Sequence, residues 1–191
     1  MGALWLADAP APRQPNTIFY SMPTRAPLIY HLHDEAGTTA LGAALARVLV
    51  PGLVIHLHGD LGAGKTALTR ALLHAAGHAG HVKSPTYTLA EPYAITLAGA
   101  AGAAGASVNV IHFDLYRMAS AEEFLDAGFR EDFDGRNICI VEWPEKGAPV
   151  LPPADLDVTL TVAGHGRDVK LKASSELGLS CLLRLAFAPN L

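Results

Sequence analysis

The chain has 191 residues, half of them hydrophobic, and a formal net charge of −4 from 14 basic and 18 acidic side chains. That length supports one α/β domain with a sizeable core and little else. No run of about 18 strongly apolar residues offers a membrane span, and the scattered Lys and Arg form no basic stripe for tight, unaided nucleic-acid binding. Cys139 and Cys181 are too few and too far apart for a disulfide framework or a zinc site. The start, MGALWLADAPAPRQP, has no basic region ahead of an apolar core and does not read as a secretory signal. A cytoplasmic location is expected.

Residues 1 to 27 carry five prolines and no periodicity, so a flexible extension is expected there, with the domain running from residue 28 to 191. From 34 to 50, Leu41, Leu45 and Val48 recur at helical spacing behind Asp34, a possible cap. The β-branched run GLVIHLH (52 to 58) predicts a strand. KTALTRALLHAAG (65 to 77) predicts a helix closed by Gly77. SPTYTLAEPY (84 to 93) reads as extended, and the Ala/Gly-rich stretch 94 to 107 as a flexible loop between strands. VNVIHFDLYR (108 to 117) is a strand with a polar end. Residues 120 to 133 are expected to form a helix opened by Ser120 and Glu123 in the pattern of a capping box, and NICIVEWPEKG (137 to 147) to contain a strand buried on both faces. Residues 155 to 173 alternate on either side of Gly-His-Gly, a hairpin. Early βα units with a late hairpin predict an α/β fold, a mixed sheet with helices on both faces.

The segment GDLGAGKT (59 to 66) satisfies G-x-x-x-x-G-K-[ST] between a strand and a helix. Gly59, Gly62 and Gly64 permit backbone conformations and close approaches that a Cβ would block, so the N–H groups of Asp60, Leu61, Ala63 and their neighbours can face phosphate oxygens. Lys65 supplies charge for β- and γ-phosphates, Thr66 a hydroxyl for Mg²⁺, and the following helix its positive end. A nucleoside triphosphate loop also needs a carboxylate for the metal, from the end of a neighbouring strand. Asp114 and Glu142 each end an apolar strand. Glu142 is read as metal or water ligand and Asp114 as a metal-shell or switch-coupling carboxylate. Thr86, in SPTYTL, is the candidate γ-phosphate sensor, held outward by Pro85. Trp143 sits beside the site, where its indole could stack on a base or simply pack in the core. The histidine pairs, His56 and His58 among them, lack supporting Cys or clustered carboxylates and read as packing or partly exposed residues on one face of their strand, not as a catalytic zinc site.

GDLGAGKT, VKSPTYTL, HFDLYR and VEWPEKG, in this order, resemble the bacterial TsaE (YjeE) family of tRNA threonylcarbamoyladenosine biosynthesis ATPases, over about residues 30 to 170. The resemblance implies a P-loop NTPase-like sheet and an ATPase with ATP and Mg²⁺ as cofactors. It also implies assistance to a TsaD–TsaB complex that forms N6-threonylcarbamoyladenosine at position 37 of ANN-reading tRNAs, with tRNA met only through those partners. By position it places ATP and Mg²⁺ on the 59 to 66 loop, Asp114 and Glu142, Trp143 against the base, and Glu35 and Thr38 on the base side. The 94 to 107 insert and the proline-rich extension depart from the family pattern. Two other readings compete. A small-molecule or nucleoside kinase needs a lid with several arginines, for which only Arg130 and Arg136 are close together. An ATP-gated adaptor would hydrolyse ATP only incidentally. The lack of an Asn-Lys-x-Asp motif ranks a GTPase below both.

Overall fold

A computed structural model describes residues 26–97 and 105–186. The proline-rich extension up to residue 25 and the middle of the Ala/Gly-rich stretch lie outside the described residues. Seven strands build one mixed sheet: β1 (Leu28–Leu32), β2 (Val54–His58), β3 (Ala90–Leu97), β4 (Ala106–Asp114), β5 (Ile138–Glu142), β6 (Leu156–Ala163) and β7 (Gly166–Ala173), in the spatial order β1-β7-β6-β2-β5-β4-β3. Around it lie α1 (Glu35–Ala46), α2 (Lys65–Ala75), α3 (Glu122–Asp126) and α4 (Glu176–Ala186).

The centre of the sheet is parallel. β2 pairs with β5 and β6, and β5 with β4, all running the same way. Strands of this kind are covered on both faces, which is why Ile138 to Glu142 is buried at every position. One face receives α1, α2 and α4, whose Leu41, Leu45, Leu68, Leu72, Leu73, Leu182 and Leu185 pack on Ile55, Leu57, Ile140 and Val158. The opposite face carries a smaller aromatic core, where Phe113 and Phe124 meet Phe129 and Phe133 beneath α3 and a 3₁₀ turn at Phe129–Asp132. The helices do lie on both faces, as expected, but the second layer is thin.

Several local readings need correction. Residues 84 to 89 are a turn rather than a strand: Leu89 donates its N–H to the Pro85 carbonyl at 2.7 Å and adopts φ 63°, so pairing begins only at Ala90. Both ends of the Ala/Gly-rich stretch are strand, since Ala94 to Leu97 pair with Ala106 to Asn109. The helix expected over 120 to 133 is one short turn of α3 followed by the 3₁₀ turn, because Gly128 at φ 72° breaks it. The capping box is not formed there either: Ala121 is the cap, and Glu123 reaches back to the N–H of Ala119. Two elements were not foreseen at all, the edge strand β1 and the C-terminal α4. β1 pairs antiparallel with β7, so the second strand of the expected hairpin becomes the middle of a three-stranded antiparallel wing.

The topology positions the site. Because β2, β5 and β4 are parallel neighbours, their carboxyl ends reach the same edge of the sheet, and the loop after β2 arrives beside Asp114 and Glu142, which are partners in register. Arg136 is at the amino end of β5, where it donates to Asp134 at 2.9 Å, and Arg130 sits in the 3₁₀ turn whose Phe129 packs on Phe113. Among the described residues, neither arginine lines the cavity at this edge.

Candidate functional site

Between β2 and α2 the chain makes a loop that only glycine tolerates at its entry. Gly59 has φ 133°, and a Cβ there would lie 2.3 Å from the Leu160 carbonyl oxygen. Gly62 and Gly64 also have positive φ, 79° and 108°. Gly64 is the N-cap of α2 and brings no side-chain cap, so the first N–H groups of the helix are left for an outside acceptor. From β7, Arg167 donates to the Ala63 carbonyl at 2.9 Å and the Gly62 carbonyl at 3.2 Å, holding the loop backbone from behind.

Lys65 is only 4 % exposed. Its Nζ donates to the carbonyls of Gly59 and Asp60, the latter at 3.0 Å, and lies 3.9 Å from the centre of the Trp143 ring. Burial holds this ammonium below the usual lysine value, while Glu142, Asp114, Glu145 and Asp60 act in the opposite direction. The lysine is thus tethered to its own loop by acceptors that a phosphate could replace.

Thr66 donates its hydroxyl to Glu142 Oε2 at 3.0 Å. Two oxygens at adjacent corners of an octahedron with metal–oxygen bonds of about 2.1 Å stand roughly 3 Å apart, so this pair could hold Mg²⁺ with little rearrangement. The other carboxylate oxygen, Oε1, meets His112 Nε2 at 2.8 Å, and both side chains are almost completely buried. His112 orients the carboxylate from below.

Asp114 is engaged differently. Oδ2 accepts from Thr86 at 3.0 Å and Ser84 at 3.3 Å, and Oδ1 from the Tyr116 N–H at 3.2 Å. It ties the 84 to 86 turn to the end of β4 rather than standing free for a metal. The turn, the loop, Asp114, Glu142, Tyr116, Arg117 and Trp143 line one cleft of about 420 Å³, a volume within the usual range for small-molecule sites.

The structure therefore brings together Gly59, Asp60, Leu61, Gly62, Ala63, Gly64, Lys65, Thr66, Thr86, Asp114, Glu142 and Trp143. It separates Glu35 and Thr38 from them. Those two line a smaller cleft of about 170 Å³ with His165 and Arg167, joined to the first only through Gly64 and Ala67. Trp143, at φ 58°, is turned toward Lys65 and Tyr116, with ring centroids 4.9 Å apart in the aromatic pair. The two groups assigned to the base thus stand on opposite sides of the first turn of α2. His112, Ser84, Tyr116 and Arg167 were missed. Strand alternation from Asp114 would have flagged His112; for Arg167, about a hundred residues from the loop it holds, there was no signal.

Comparisons with known proteins identify the relatives of this chain. The family model for the threonylcarbamoyl adenosine biosynthesis protein TsaE matches residues 32–169. A tRNA threonylcarbamoyladenosine biosynthesis protein TsaE from Haemophilus influenzae is 40% identical over 156 residues, covering 79% of this chain and 92% of that protein. A protein of the same name from Bacillus subtilis is 34% identical over 127 residues, covering 66% of this chain and 73% of that one. The crystal structure of Bacillus subtilis YdiB superposes with a TM-score of 0.70 at 26% identity, covering 87% of this chain and 98% of that chain.

Proposed function

Because the chain belongs to the TsaE family and so to tRNA threonylcarbamoyladenosine biosynthesis, we propose that it is a Mg²⁺-dependent ATPase acting on a TsaD–TsaB complex. That complex would form N6-threonylcarbamoyladenosine at position 37 of ANN-reading tRNAs. The observation that carries the reading is the contact between Thr66 and Glu142 at the uncapped start of α2. It unites a metal-ready oxygen pair with a phosphate-ready helix end in one cleft.

Lys65 and the N–H groups of the loop bind the β- and γ-phosphates, and Thr66 and Glu142 hold the metal. Bound there, Mg²⁺ neutralises charge building on the phosphate oxygens. Glu142, whose Oε1 is held by His112, keeps Oε2 for the metal or for a water beside it. Thr86 and Ser84 sense the γ-phosphate through hydroxyls now spent on Asp114. We place the base in the smaller cleft with Glu35 and Thr38, reached past Gly64 and Ala67, because the indole of Trp143 stands at the phosphate end of the main cleft beside Lys65.

Among the described residues no arginine besides Arg117 lines the main cleft, and Arg167 is spent on loop carbonyls. Hydrolysis by the isolated protein should be slow. Arg130 and Arg136 lend the kinase reading no support, since neither lines the main cleft. With a net charge of −4 the chain meets tRNA through its partners. Radiolabelled ATP incubated with the protein alone, with TsaD–TsaB, and with tRNA added tests this reading. Slow basal turnover accelerated by the complex is expected. A rate indifferent to the complex, or sub-micromolar tRNA binding by this chain alone, would overturn it.

A further inference from the structure

On the face of the sheet away from α1 and α2, β2 and β6 bring three side chains together. His56 and His58 alternate with Ile55 and Leu57, and Asp157 with Leu156 and Val158, all four of which belong to the core under α1 and α2. The imidazoles and the carboxylate therefore project to the other side. One nitrogen from each histidine and one oxygen of Asp157 lie within 4.8 Å of one another. His58 Nε2 is already 2.9 Å from Asp157 Oδ1.

The surroundings hold these groups as ligands are held. Ser174 donates to Asp157 Oδ2 at 2.6 Å, which leaves Oδ1 facing the histidines. His56 is 8 % exposed, and its Nε2 is buried without any hydrogen-bond partner. An orphaned ring nitrogen in the interior is costly and calls for a ligand. Lys172, the neighbour of Asp157 across to β7, makes no ion pair with it among the described residues.

We propose that His56, His58 and Asp157 form a binding site for a divalent transition-metal ion of the Zn²⁺ type, distinct from the nucleotide cleft. Two imidazoles and a carboxylate are a donor set for Zn²⁺ rather than Mg²⁺, with a fourth position left to water. His58 directly precedes Gly59, so the ion would fasten the end of β2 to β6 immediately before the phosphate loop. The site stands whether or not the chain hydrolyses ATP.

The test uses the full chain stripped of metal with a chelator, without nucleotide or Mg²⁺. Zn²⁺ is titrated by calorimetry, and Co²⁺ is added separately to read its visible absorption. One Zn²⁺ per chain is expected, with low-coordinate Co²⁺ bands. Both should weaken by at least about tenfold in His58→Ala and Asp157→Asn, each confirmed folded by circular dichroism, and stay unchanged in His33→Ala, which alters an exposed histidine outside the cluster. His56→Ala should do the same if it folds, and the other two variants carry the test if it does not. Absence of Zn²⁺ binding by the wild-type chain, wild-type affinity in folded His58→Ala and Asp157→Asn, or equal loss in His33→Ala would overturn the proposal.

Discussion

Replacing Lys65 by methionine keeps the length of the side chain and removes its charge. In the free protein the loss should be mild. The two hydrogen bonds to Gly59 and Asp60 disappear, but so does the penalty for holding an ammonium in a buried place, so stability should change by about 1 kcal/mol or less. In the nucleotide complex there is no such offset. If phosphate oxygens take over the two acceptor positions now filled by loop carbonyls, each charge-assisted bond contributes about 1.5–3 kcal/mol. Together that corresponds to a loss of roughly 10²- to 10⁴-fold in Mg·ATP affinity. Calorimetric titration with Mg·ATP, beside urea denaturation of the same samples, separates the two effects. A folded Lys65→Met chain whose affinity falls less than about fivefold would refute the argument that this lysine serves the phosphates.

Trp143 emission should shift on adding Mg·ATP and equally on adding Mg·triphosphate, because the trigger is Lys65 leaving the ring at 3.9 Å; a response to ATP alone, lost in Trp143→Phe, would instead place the base on the indole. Phe113→Ala empties the centre of the aromatic core, where Phe113 is fully buried. It should cost about 3–5 kcal/mol in urea denaturation, and a loss under 1 kcal/mol would mean the second face does not hold the sheet. Asp134 accepts from the N–H groups of Arg136 and Asn137, which lowers its pKa from 3.8 to about 2. Its stabilisation is therefore present above pH 3.8 and lost as pH falls toward 2. Asp134→Ala should flatten that part of the acid unfolding curve followed by circular dichroism, and an unchanged curve would count against the turn.

Most of the main cleft could be read from the sequence because its parts are local. The loop from Gly59 to Thr66 carries its own geometry, and Asp114 and Glu142 announce themselves as carboxylates ending apolar strands. Parallel neighbours then bring those ends to one edge without further information. What escaped depends on long-range pairing. Arg167 meets the loop only because β7 folds back along β6, and Asp157 meets His56 and His58 across about a hundred residues, so the histidines looked unsupported. β1 was missed because Ile29 and His31 in its short run are exposed, as expected of an edge strand, and α4 because it packs by an apolar stripe beyond the last recognisable motif. The turn at 84 to 89 has strand-forming Thr and Tyr, yet Asp114 and the Pro85 carbonyl take its polar groups instead. The departure of Trp143 into φ 58° has no local signature.

The central claim is that Thr66 and Glu142 hold the metal of a bound nucleotide. Crystals grown with Mn²⁺ and a non-hydrolysable ATP analogue, measured for anomalous scattering, address it directly. The account predicts a peak between the Thr66 hydroxyl and the Glu142 carboxylate, with Lys65 moved from its loop carbonyls onto the β- and γ-phosphates. A bound analogue with its metal away from this pair, or with Lys65 still on Gly59 and Asp60, would contradict it.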